Sequence, residues 1–344
     1  MMTETENIKV ENELTRMLNI RFPLVMAPMF LVSNEAMLAA GIEAGILACF
    51  PSLNYRNESE LQSVLEKMND RIHNRKGKYG NYGMNLIVQK ANPWFKKHLD
   101  ICIRMKVPVV ITSLGNPEST INAAHTYGGK VFCDVINLAH AEKCAKAGCD
   151  GFVAVGQGAG GHAGPYPLIL LTEALKKRFP DLPVMAAGGI ANGRALLSSL
   201  ASGASAGYCG TRFIASTEAD VSAEYKQAIV RHKMEDIIMT SRISGTPCSV
   251  INTEFAQKIG TEQNWFEKMM SRNSKTKKYF KMLVQRRGFN WLEAAVKPGN
   301  YQNLWCAGQS VEMVDEIQSI QDIVADFIRG YFIAYNELKQ MNSY

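Results

Sequence analysis

The stretch VAVGQGAGGHAGPYP (Val153–Pro167) contains GQGAGG, Gly156 to Gly161, at the G-x-G-x-x-G spacing of a dinucleotide-binding turn. If the turn is of that kind, the chain is a doubly wound sheet. If it is not, the glycines belong to another architecture. A dinucleotide turn opens a helix directly, but here Pro165 and Pro167 follow the glycines and prevent a long helix from running through them. Such a turn also needs an acidic residue about twenty positions on, at the end of the next strand. Asp181 stands near that distance, yet it sits in FPDLP, which leads into the next apolar run, and that run ends in AAGG. The motif also follows the sixth apolar run, where a nucleotide-binding domain would use its first. The Rossmann reading is rejected.

Working outward, short β-rich apolar runs recur, each followed by a segment of helical pattern. They are LVMAP (24–28), ILACF (46–50), YGMNLIV (82–88), VPVVITSL (107–114), KVFCDVI (130–136), GFVAVG (151–156), PVMAAGG (183–189) and GYCGTRFI (207–214). Between the fifth and sixth runs, NLAHAEKCAKAGCD repeats apolar residues at helical spacing and ends on Gly148. After the seventh, Asn192 is placed as an N-cap and Gly203 as the stop. Strands covered by helices on both faces need near-continuous apolar sequence. Eight βα units in series therefore predict an α/β protein of the (β/α)8 TIM-barrel class. A doubly wound sheet also alternates, but it does not call for eight strands.

The length, 344 residues, accommodates a barrel of about 250 residues plus an appendage. The expected organisation is a barrel over 14–233, a mostly helical appendage near the barrel mouth over 234–305, and a C-terminal helix over 306–344 that packs back. The appendage shows no clear βα alternation and holds Trp265, Trp291 and Trp305. With 47% hydrophobic and 20% charged residues the chain reads as globular. Its net charge of +6 is mild. The one local excess, RNSKTKKYFKMLVQRR (Arg272–Arg287), reads as a solvated helix face, with a phosphate- or nucleic-acid-binding patch as the alternative. The eight cysteines include no C-x-x-C pair, and several sit in apolar runs, so they are expected to be buried free thiols in a reducing compartment. The polar, acidic N-terminus lacks the pattern of a signal peptide, and no apolar run reaches the roughly 18 residues of a membrane helix. A cytoplasmic protein is expected.

Barrel active sites are built at the C-terminal ends of the strands. A glycine-rich loop there lets the backbone approach a flat ring or a phosphate and present N–H donors. Two further glycine sites follow, AAGGIANG (186–193) and YCGTRF (208–213), at the ends of the seventh and eighth runs. The loops after strands seven and eight commonly form a barrel phosphate site, so Gly188, Gly189, Gly210 and Thr211 are the candidate phosphate ligands. Close packing of small residues is the alternative. No His or Cys cluster has metal-ligand spacing, and no metal is expected.

At this point the ordered set MAPM, YGMNL, GAGGHAG, AAGGIANG, GTRF and the late LWCAGQSVEMV (304–314) resembles the nitronate monooxygenase family, formerly called 2-nitropropane dioxygenases. The resemblance spans roughly residues 20 to 330. A sister group, the FMN-dependent enoyl-ACP reductases, shares most of it. The resemblance implies FMN across the barrel mouth, with Ala27, Pro28 and Met29 bordering the ring system. It implies that Asn85 hydrogen-bonds the flavin or its ribityl chain, and that Gly160 and Gly161 let the backbone come close. Gly188, Gly189, Gly210 and Thr211 would hold the phosphate. His162 matches the family's catalytic histidine, and an imidazole suits proton transfer near neutral pH. His73, His98, His125, His140 and His232 are expected to be ordinary surface or helix histidines.

The chain departs from the commoner family pattern, with Val155 where glutamine is usual and Gly158 where glutamate is usual. Gln157 could supply an amide on the same side only if the strand stays extended there. The resemblance implies oxidation of alkyl nitronates with dioxygen to carbonyl compounds and nitrite. The alternatives are an NAD(P)H-dependent, FMN-containing reductase of the enoyl-ACP type and a barrel that binds FMN without turnover. The expected partners are a nitronate or nitroalkane and dioxygen, with no nucleic acid and no membrane, and with a homodimer left open.

Overall fold

The computed structural model describes residues 8–74, 79–89, 92–243, 246–262, Val284 and 304–341. Eight parallel strands close into a barrel: β1 (Leu24–Met26), β2 (Leu47–Pro51), β3 (Asn81–Ile87), β4 (Val109–Ser113), β5 (Lys130–Val135), β6 (Gly151–Val155), β8 (Val184–Ala187) and β9 (Ala206–Cys209). Each falls on one of the eight apolar runs. The last pairing, Leu24 with Gly207 and Met26 with Cys209, joins β9 to β1. The architecture is a (β/α)8 TIM barrel, as the alternation predicts.

Successive side chains alternate between the two faces of each strand. Val25, Leu47, Cys49, Val109, Ile111, Phe132, Val153, Met185 and Ala206 point inward and pack with Leu14, Leu18 and Ile20, which plug the N-terminal end. Leu24, Met26, Ala48, Tyr82, Val110, Val131, Phe152 and Val184 belong to the outer layer beneath the helices. The plug is the short helix Glu13–Leu18. Its cap Asn12 accepts from Thr15 N at 2.9 Å and its Nδ2 donates to Ser205 O at 2.7 Å, which ties the plug to the start of β9.

Asparagine caps recur where strands hand over to helices, because the side-chain oxygen satisfies an N–H that the first turn leaves unpaired. Asn34, Asn137 and Asn192 cap the helices Glu35–Glu43, Leu138–Lys146 and Gly193–Ala201. Asn137→Ala should cost about 1 kcal/mol, since Asn137 accepts from His140 N at 2.8 Å. A urea-unfolding midpoint that does not move would contradict that role.

The barrel's outer ring is completed from far along the chain. The C-terminal helix Ile320–Met341 packs on the helices Gly193–Ala201 and Glu35–Glu43, in the gap that the eighth helix of a barrel fills. Backbones meet at Gly193, where a Cβ would lie 2.1 Å from Tyr331 N and 2.2 Å from Phe327 O. Phe327 stacks on Phe213 at 6.4 Å between ring centroids.

Part of the eighth run takes a different form. Thr211–Ile214 is one helical turn and not the end of the strand. Arg212 there is buried, donates to Glu316 O at 3.4 Å and bonds the Gln318 side chain. The run's β-like composition gives way to a tertiary anchor, which holds the turn to the segment leading into the last helix.

Over the barrel mouth lies a small antiparallel sheet, β7 (Gly161–His162), β11 (Cys248–Ile251) and β10 (Ile237–Thr240), in the order β10-β11-β7. The sequence predicts a mostly helical appendage over 234–305. Its described beginning instead supplies these two strands, with the helix Glu254–Ile259 after them. Most of its remainder and the basic stretch, apart from Val284, lie outside the described residues. Among the described residues no helix is long and apolar enough to cross a membrane.

Candidate active site

The C-terminal ends of the barrel strands and the overlying sheet enclose a cavity of about 490 Å³. Ala27, Pro28, Met29, Asn85, Gly160, Gly161, His162, Gly188, Gly189, Gly210 and Thr211 all line it. The fold thus brings these eleven candidate site residues to one place. Phe30, Leu53, Ile87 and Ile136 add apolar wall.

The glycine loop after β6 folds on itself. Gln157 N donates to Tyr166 O at 2.8 Å and Gly164 N to Gly156 O at 3.2 Å. The strand ends at Val155, so Gln157 does not continue its alternation. Its side-chain amide donates instead to Pro165 O at 2.8 Å, and the residue is absent from the cavity wall. Val155 and Gly158 do line the cavity. Beyond the turn, β7 pairs His162 with Cys248 and Gly161 with Ser249, which fixes His162 at the cavity edge, with its side chain exposed.

The late CAGQ segment locks against this loop. A Cβ at Gly308 would stand 2.3 Å from Gly158 O and 2.8 Å from Gly160 N, so only glycine permits the contact. Gly308 N donates to Thr211 Oγ1 at 3.0 Å. The Thr211 hydroxyl oxygen thus accepts from the scaffold, and its own proton stays available to an anion beside the backbone N–H groups. Gly189 and Gly210 N–H have no acceptor among the described residues. A Cβ at Gly161 or Gly189 meets no atom within 4 Å and would stand in open space. Nearby, Tyr225 stacks on Trp305 at 5.5 Å, and its hydroxyl donates to Cys306 O at 2.6 Å.

Polar side chains line the inner wall. Asn85 Nδ2 donates to Ile111 O at 3.2 Å and to Ser113 Oγ at 2.7 Å, and Ser113 Oγ donates to Asp134 Oδ2 at 2.5 Å. Burial pushes the Asp134 carboxyl up to about 7, against the opposing pull of the Ser113 hydrogen bond. Its Oδ1 is buried and has no partner. Asp134, Ser113 and Tyr208 escaped the sequence reading. The available signal was a carboxylate within a barrel strand, two positions after an inward Phe132.

Two histidines depart from expectation. His140, on the helix after β5, lines the cavity, and burial holds its pKa below the ordinary value. His98 is fully buried, with Nδ1 at 3.0 Å from Ser52 Oγ, and its pKa is likewise lowered by burial. All eight cysteines are free; seven are buried and Cys306 is half-buried. Among the described residues no group of three or more His, Cys, Asp or Glu could hold a metal ion.

The sequence profile of the nitronate monooxygenase family matches residues 58–330. A probable nitronate monooxygenase of Staphylococcus aureus (strain JH9) is 27% identical over 293 residues, covering 72% of this chain and 80% of that protein. The solved structure of FabK from Thermotoga maritima superposes with a TM-score of 0.82 at 29% identity, over 97% of this chain and 100% of that one. A nitroalkane oxidase from Streptomyces ansochromogenes shares the fold, with a TM-score of 0.77 at 22% identity over 95% of this chain and 100% of its own.

Proposed function

This chain belongs to the nitronate monooxygenase family, and from that premise we propose that it is an FMN-dependent oxidoreductase that oxidises alkyl nitronates with dioxygen to carbonyl compounds and nitrite. The observation that carries the reading is the convergence of Ala27, Pro28, Met29, Asn85, His162 and three glycine loops on one cavity. The residues fit a flavin. The sites at Gly161 and Gly189 are open where a side chain would intrude, and Gly189 and Gly210 keep unpaired N–H donors for a phosphate.

Bound there, FMN would supply the electron transfer to and from substrate and dioxygen. In this reading Ala27, Pro28 and Met29 flank the ring, and Gly160 and Gly161 allow close backbone approach. Gly188, Gly189, Gly210 and Thr211 bind the phosphate through backbone N–H groups. Asn85 has its Nδ2 engaged by Ile111 and Ser113, which leaves its oxygen for the ligand. His162 takes the α-proton from a neutral nitroalkane, or holds a preformed nitronate by hydrogen bonding. Apolar side chains such as Phe30 and Ile136 keep water from the reacting carbon. The 234–305 segment, through Ile243, Pro247, Cys248 and Leu304, forms the outer wall.

The likeness to FabK over 97% of the chain favours one rival, an NAD(P)H-dependent enoyl reductase. A spectrum under nitrogen separates the two. Propionate 3-nitronate should bleach the flavin of the purified protein; bleaching by NADH alone would reject the nitronate reading.

A further inference from the structure

One carboxyl stands apart along the inner wall, that of Asp134. A backbone carbonyl can only accept, so the bond to Ile111 O fixes the Asn85 amide with its NH2 toward Ser113. Ser113 accepts from Asn85 and donates its own proton to Asp134 Oδ2. In this arrangement Oδ2 is an acceptor, and the proton of a neutral Asp134 carboxyl sits on Oδ1. That atom is buried and unpartnered, in a residue that lines the cavity. A buried donor without an acceptor is costly, and an anion at the same place would be more so.

We infer that Asp134 is a ligand-binding residue of this cavity, and that the flavin is taken up by the form whose Oδ1 carries the proton and donates it to an acceptor on the ring. The inference rests on the flavin reading above.

The other ionisable groups around Asp134 do not imitate it. Cys49 on β2 and Tyr208 on β9 face it from within the barrel, and burial raises both, so both are neutral near pH 7. Cys133 on the same strand lies in the outer layer, where Thr112 donates to its sulfur at 3.2 Å. His140, from the following helix, and His162, from the glycine loop, share the cavity, and burial keeps His140 neutral at that pH. Burial places the Asp134 carboxyl near neutrality before any ligand is bound, and a ring closing over it raises it further.

The sign follows. Binding selects the protonated form, so FMN uptake draws in a proton when the pH lies above the value of the free residue. Affinity is then level at lower pH and falls as pH rises past about 7, by about tenfold per unit. The test is titration of flavin-stripped full-length protein with FMN, read by flavin fluorescence, between pH 7.5 and 8.5. In that window the phosphate, whose second ionisation lies near 6, no longer titrates. Wild type should lose about tenfold in affinity across the window, with proton uptake seen by an indicator dye in weak buffer. Asp134→Asn should bind without a slope, while His162→Gln and His140→Gln should keep it. Ser113→Ala removes a bond that favours the carboxylate, and should move the onset of the fall to higher pH; it keeps the test open should Asp134→Asn not fold. A wild-type slope retained in Asp134→Asn, or a flat wild-type profile with FMN bound, overturns the inference and leaves the flavin reading intact. Absence of FMN binding at every pH overturns both.

Discussion

His162→Ala should slow turnover of a neutral nitroalkane by about 10²–10⁴-fold while flavin remains bound. His162 is held at the cavity edge by its pairing with Cys248 in the overlying sheet, not by the loop alone. Truncating the side chain leaves that backbone pairing in place, so Gly188, Gly189 and Gly210, the proposed cofactor cradle, should be unaffected. A preformed nitronate has already lost its α-proton. If His162 serves as the base, the same variant should process the nitronate with a far smaller loss. Steady-state rates on the two substrates, with the flavin spectrum recorded alongside, check this. Equal losses on both would assign His162 to binding rather than proton transfer, and no loss on either would remove it from the reaction.

Gly193→Val should destabilise the fold by about 3 kcal/mol or more, the largest stability effect of any single substitution considered. Even a Cβ at this site meets the backbone of the C-terminal helix at 2.1 and 2.2 Å. Backbone cannot swing aside as a side-chain tip can, so the helix must lift from the barrel and carry Phe327 off Phe213. Gly330 lies across the same seam, but a Cβ there comes no closer than 3.4 Å, to Gly193 N. Gly330→Ala is therefore the control, expected to shift the urea midpoint little. A Gly193→Val protein with an unchanged midpoint would mean that the helix is not seated as described.

The strands were legible because burial on both faces demands continuous apolar sequence, and all eight runs carry it. The glycine loops and His162 were legible because glycine and histidine at strand ends have few structural uses, whereas Ala27, Pro28, Met29 and Asn85 came from the family resemblance. Asp134 was not legible, since its meaning depends on which way Phe132 points, and direction is a property of the closed barrel. His140 and His98 look alike in sequence, and only packing puts one on the cavity and the other in the core. β7 has two residues, one a glycine, and becomes a strand only because Cys248 and Ser249 arrive from far down the chain. Gln157 turned away because the chain bends directly after Val155, and the carbonyl it found, Pro165, belongs to the proline pair that argued against the Rossmann turn.

The last helix reaches the barrel only after a long detour, and Arg212 bonds residues 104 and 106 positions further on. During synthesis the ribosome finishes all eight strands well before it releases the helix that seals their outer ring. The nascent barrel therefore carries an open greasy seam beside Gly193 for the time taken to translate that detour, and slow translation or a shortage of chaperones would be felt there first.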